Sequence, residues 1–158
     1  MRKEEMTRSD LFTAVEYGQK EIFDSEIDDA DLGQTDRDGN NLLHLAAAKG
    51  REEIAAELIE RGIDINHQGR EGQTPLHFAV RRGESRIVEL LLENNADVSI
   101  QDEHGNQPLW TAVQSGDYEM TSLLVEHGAD PDHENKVGKS PLSIAEEADA
   151  HKFIEILT

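Results

Sequence analysis

Gly72-Gln73-Thr74-Pro75-Leu76-His77-Phe78-Ala79-Val80-Arg81-Arg82-Gly83 is the stretch whose reading decides the fold. Thr74 is a hydroxyl N-cap, and Pro75 follows at the first helical position, where a missing N–H is no loss. Gly83 then supplies the left-handed residue that closes a helix about two turns later. Relatives of the stretch begin at Gly39, Gly105 and Gly138, so four glycines stand 33 residues apart. Asn41 to Ala46, Gln107 to Ala112 and Ser140 to Ala145 fill the slots of Thr74 to Ala79, with Pro108 and Pro141 in register and with Gly50 and Gly116 as closing glycines. Behind each first helix comes a second, apolar at helical spacing: Ile54, Leu58 and Ile59; Ile87, Leu90, Leu91 and Leu92; Met120, Leu123, Leu124 and Val125. These end at Gly62, Asn95 and Gly128, asparagine being a non-glycine residue that tolerates the turn. A fixed period of this size means a stacked array of helix–turn–helix units joined by extended polar loops.

These residues resemble the ankyrin repeat family. The marks are Thr74-Pro75-Leu76-His77, the tripeptide Gly128-Ala129-Asp130 with its variants Asn95-Ala96-Asp97 and Gly62-Ile63-Asp64, and the aspartates Asp36 and Asp102 before the loop tips. The resemblance covers most of the chain and implies an all-α, ankyrin-repeat solenoid of five stacked helix pairs with projecting hairpin loops. It implies one domain over 1–158, with a degenerate capping repeat at 1–38, full repeats at 39–71, 72–104 and 105–137, and a C-terminal capping repeat at 138–158. It implies also that the His44 and His77 rings hydrogen-bond the neighbouring hairpin. Asn41-Leu42 in the first full copy, and Gln107 and Trp110 in the third, depart from the pattern as in a natural, drifted sequence. In the N-terminal cap, Ser9 or Asp10 is expected to start the first helix and Gly18 to end it, while Asp24, Glu26, Asp28, Asp29 and Asp31 load the second helix with acid. Asp149 and His151 stand in the inter-helix glycine region of the last pair, where a different turn is expected.

The chain has 158 residues, 36% hydrophobic and poor in aromatics, which leaves the packing to Leu, Ile, Val and Ala. Without cysteine it has neither a disulfide framework nor thiol chemistry. The net charge is −19; Lys and Arg stand against Asp and Glu as 5 to 12 in 1–38, 4 to 6 in 39–71, 3 to 6 in 72–104, 1 to 6 in 105–137 and 2 to 4 in 138–158. Such a field repels nucleic-acid phosphates and anionic lipid, so neither nucleic acid nor membrane is an expected partner. No apolar run approaches a membrane span and the first residues lack the apolar stretch of a signal peptide, so the expected location is the cytoplasm. The exposed acid also keeps a repeat stack soluble, and a monomer is expected when free.

Chemistry-bearing constellations give no ground for an enzyme and point to no cofactor. His127, Asp130, Asp132 and His133 are the densest ligand-like cluster, but they straddle a helix end and a loop without the spacing that would converge them on a metal. The acidic runs lack the calcium-loop pattern. The informative residues are therefore those that vary inside the repeating frame. They are the loop tips and the last turns of the first helices, which in proteins resembling this one line a concave groove for partner proteins. The expected contacts are Tyr17, Lys49, Arg70, Glu71, Gln73, Arg81, Arg82, Glu103, His104, Trp110 and Gln114. Lys49, Arg70, Arg81 and Arg82 should make the middle of the groove basic between acidic ends, suiting a cationic or mixed-charge protein partner. Trp110 has a second reading, as a filler between repeats. Three functions are open: an inhibitor or immunity-type protein neutralising a cationic toxin, as in the small acidic bacterial ankyrin proteins that this chain resembles; a general adapter or regulatory scaffold; and an enzyme or metal-dependent protein.

Overall fold

The structure, a computed structural model, describes residues 11–158, so the capping residues Ser9 and Asp10 lie outside the described residues. Helical residues 11–17 (α1) are followed by α2 (Lys20–Glu26), α3 (Leu42–Lys49), α4 (Glu52–Glu60), α5 (Pro75–Arg82), α6 (Ser85–Glu93), α7 (Pro108–Gln114), α8 (Tyr118–Glu126), α9 (Pro141–Glu147) and α10 (His151–Leu157). The acid expected on the second helix is split, since α2 ends at Glu26 and Asp28, Asp29 and Asp31 lie in the turn and loop beyond it. Among the described residues there is no strand. First helices stack on first helices, α3 on α5, α5 on α7 and α7 on α9, while α4 meets α6 and α8 meets α10 in a second layer. Between the layers lie Leu43, Ala46, Leu58, Leu76, Ala79, Leu91, Leu109, Ala112 and Leu124, with almost no exposed surface. The all-α solenoid implied by the repeat is the observed architecture.

Local chemistry sets each start and stop. Thr74 Oγ1 and Ser140 Oγ accept the N–H of His77 and Ser143, and Asn41 Oδ1 accepts those of Leu43 and His44, so asparagine at this departure still caps. Gly50 and Gly83 close α3 and α5 in the left-handed conformation. Asn95 does the same after α6 with φ 63, and Asp149 fills the inter-helix glycine slot of the last pair with φ 52.

The first-helix histidines stitch the stack together. In α3 the Asn41 N–H donates to His44 Nδ1 and His44 Nε2 donates to the Gln73 carbonyl at 2.9 Å. In α5 the Thr74 N–H donates to His77 Nδ1 and His77 Nε2 donates to the Asn106 carbonyl at 3.0 Å. The ring-to-hairpin bond that the resemblance implies is thus present twice. His67 Nε2 and His133 Nε2 donate in the opposite direction along the stack, to the Gly39 and Gly105 carbonyls. The third unit lacks the device. Gln107 caps nothing with its side chain, its Oε1 is buried without a hydrogen-bond partner, and Trp110 stands where a histidine would bridge. Replacing Gln107→Thr should therefore supply a cap and remove the orphaned oxygen, raising stability by about 1 kcal/mol. A urea midpoint that rises with unchanged slope checks this; a fall would show that the Gln107 amide bond to the Ser99 carbonyl outweighs both gains.

Candidate functional site

Charge is divided between the two layers. The second helices α2, α4, α6, α8 and α10 carry twelve carboxylates against the three cations Lys20, Arg86 and Lys152, whereas α1, α3, α5, α7 and α9 carry three of each. The face made by the first helices and the loop tips is close to neutral on a protein of net charge −19. Counting charge repeat by repeat hides this, because every repeat contributes one helix to each layer.

On that face Arg70, Glu71, Gln73, Arg81 and Arg82 converge around one cleft of about 460 Å³, with the half-buried Phe78 ring in its wall. The Arg81 guanidinium carbon sits 5.0 Å from the Phe78 ring centroid, and Arg81 Nη2 donates to Gln73 Oε1 at 2.6 Å. Phe78 is itself held edge-on by the His44 ring at 5.2 Å. Arg81 is thus held in one orientation. Arg82 is exposed, and neither it nor Arg81 has a carboxylate within ion-pair distance among the described residues.

A glycine shapes the loop tip that forms the other wall. Asp36, Asp102 and Asn135 each accept two backbone N–H groups of their own tip, but the corresponding residue of this tip is Gly69. A Cβ at Gly69 would collide with the Asn40 side chain, whose Oδ1 accepts the Arg70 N–H at 2.9 Å. The tip turns instead through a single 3₁₀ turn at Arg70–Gly72, with Glu71 in the left-handed region at φ 56. That conformation costs roughly 1–2 kcal/mol for a residue with a side chain. The Glu71 carbonyl accepts the Glu103 N–H at 2.9 Å, which ties this tip to the next one.

The remaining predicted contacts are dispersed. Tyr17 is 67% exposed at the end of α1, and Gln114 is exposed at the end of α7. Glu103 and His104 are exposed on the third tip. Trp110 is half-buried in a crevice with Asn106, Gln107, His133, Asn135 and Pro141, between the third and fourth units. The expected basic middle is narrower than the sequence suggests. Lys49 pairs with Glu16 at 3.5 Å, and Arg70 lies 3.9 Å from Asp38 and 3.7 Å from Glu71, which leaves Arg81 and Arg82 as its centre. Phe78 was hidden inside the frame. Its one signal is that the same slot holds Leu45, Thr111 and Ile144 in the other copies, so an aromatic ring stands three residues before Arg81 in this copy alone.

The ligand-like histidines have structural employment. His133 donates to the Gly105 carbonyl, and His127 Nδ1 lies 2.9 Å from the Leu123 carbonyl. Among the described residues no helix is long and apolar enough to cross a membrane. The family model for ankyrin repeats (3 copies) matches residues 11–102 and again 96–158. No curated protein matches the chain.

Proposed function

Because this chain belongs to the ankyrin repeat family, whose members generally mediate protein–protein interaction, we propose that it binds a partner protein through the face of its first helices and loop tips. The observation that supports this reading is the cleft of Arg70, Glu71, Gln73, Phe78, Arg81 and Arg82, on the one layer where cations match carboxylates. The chain acts as one array, with 1–38 and 138–158 as its caps, as a non-enzymatic monomer in the cytoplasm. Its partner is a protein of cationic or mixed charge, drawn in by the acidic second layer and held on the opposite face. An inhibitor or immunity protein, neutralising a cationic toxin, fits that division of labour better than a general adapter, because net charge of this size steers one class of partner.

The test begins with the partner recovered by cross-linking in cells and then purified. Arg81→Ala together with Arg82→Ala should weaken the complex by about 1–2 kcal/mol without changing the circular dichroism of the free protein. Raising salt until the Debye length falls from about 10 to about 3 Å should slow association more than it speeds dissociation. Affinity untouched by the arginine pair but abolished by charge reversal at Asp24, Glu26 and Asp28 would move the site to the N-terminal cap. Growth inhibition by the partner that co-expression fails to relieve would end the inhibitor reading.

A further inference from the structure

The cleft also says something about the chemistry of what enters it, given the reading that this face binds a partner. Three guanidiniums border it, and two of them, Arg81 and Arg82, lack a carboxylate of the protein's own among the described residues. Arg81 is fixed in place by Gln73 and by the Phe78 ring, with N–H groups to spare beyond the one given to Gln73. A planar fork of this kind matches a carboxylate with two parallel hydrogen bonds. The cleft's own acid sets an upper limit on the charge admitted. Glu71 lines it, and Asp38 reaches Arg70 from the preceding tip. One carboxylate balances the arginine surplus, whereas a polyphosphate would meet these acids and the field of the whole molecule.

We infer that the cleft receives an aspartate or glutamate side chain from the partner's bound segment. The partner is steered as a cation by the second layer and anchored as an anion between Arg70 and Arg82. Phe78 contributes the apolar floor against which the acid's methylene stem lies.

Titration of the isotope-labelled 158-residue chain tests this by amide chemical shifts, with three probes in parallel: a capped glycine–serine peptide carrying a single glutamate, the same peptide with a single lysine in its place, and a single-stranded oligodeoxythymidine of equal length. The glutamate peptide should shift residues 70–82 despite the protein's net charge of −19. Arg81→Gln with Arg82→Gln should weaken that binding at least roughly tenfold, as loss of a forked charge-assisted contact does. Arg86→Gln with Lys152→Gln removes the same charge from the second layer and should change it less than about twofold. Absence of shifts at 70–82, equal loss in both pairs, or tighter binding of the oligodeoxythymidine there would overturn the inference. The lysine peptide bound on the first-helix face in place of the glutamate peptide would overturn it while leaving that face as the protein-binding surface. Responses confined to α4 and α6 would overturn both readings.

Discussion

Acidification from pH 7 to pH 5 is expected to lower the unfolding free energy by about 2 kcal/mol through His44 alone. Burial holds the His44 ring neutral and pushes its pKa down from 6.5 to about 4, the His67 ring beside it adding to the shift while the Gln73 carbonyl and Asp36 oppose it. His77 is lowered for the same first reason, burial, against the Asn106 carbonyl and Asp102. The hydrogen bonds explain why the neutral form is built in. Nδ1 of each ring accepts the N–H of its own N-cap residue while Nε2 donates to the next hairpin, so the neutral tautomer satisfies both nitrogens. Near pH 6.5 the unfolded chain takes up a proton that the folded one refuses until about 4. Between those values the unfolded state holds more protons, and stability drops as pH falls through the window and is steady above it. Urea titrations at pH 7 and pH 5 measure the effect. Equal midpoints at the two pH values would refute it. His44→Gln should be less stable at pH 7 and should flatten the slope.

Removing residues 140–158 is expected to cost on the order of 3–5 kcal/mol, because a repeat's apolar side is covered only by its neighbour. The deletion takes away Pro141, Ala145, Phe153 and Leu157 from the core and uncovers the sides of α7 and α8 on which α9 and α10 pack. It also removes the Phe153 ring from Tyr118, 4.4 Å away, and the Leu142 N–H from the Pro131 carbonyl. Third and fourth units lack a first-helix histidine bridge but are tied by His133 Nε2 to the Gly105 carbonyl and by the Lys136 N–H to the His104 carbonyl, bonds that the deletion leaves in place, so the loss is mainly one of apolar cover. A truncated protein that melts with the intact one would show that the last pair is an ornament rather than a cap.

Most of the frame can be read from the chain because its signals are local. A hydroxyl, a proline and a glycine at set intervals fix a helix whatever lies around them, and Asn41 and Asn95 work in slots where the family prefers other residues. The site was only partly legible because its determinants are relations between repeats. Lys49 reads as a free cation until the stack brings Glu16 to it, and Gly69 reads as one more loop glycine until Asn40 of the preceding tip is found in the space of its missing side chain. Gln107 shows the converse. The departure from threonine is plain in the sequence, but the buried oxygen without a partner follows only from where Ser99 and Trp110 come to lie.

The unequal charge of the two layers has a use at the bench. On a positively charged resin or electrode the molecule should settle with α4, α6 and α8 toward the support and the arginine cleft outward, since attraction acts on the carboxylates and desists at the neutral face. Adsorption alone would orient it, with no tag and no linker, and the exposed side would be the one proposed to bind the partner.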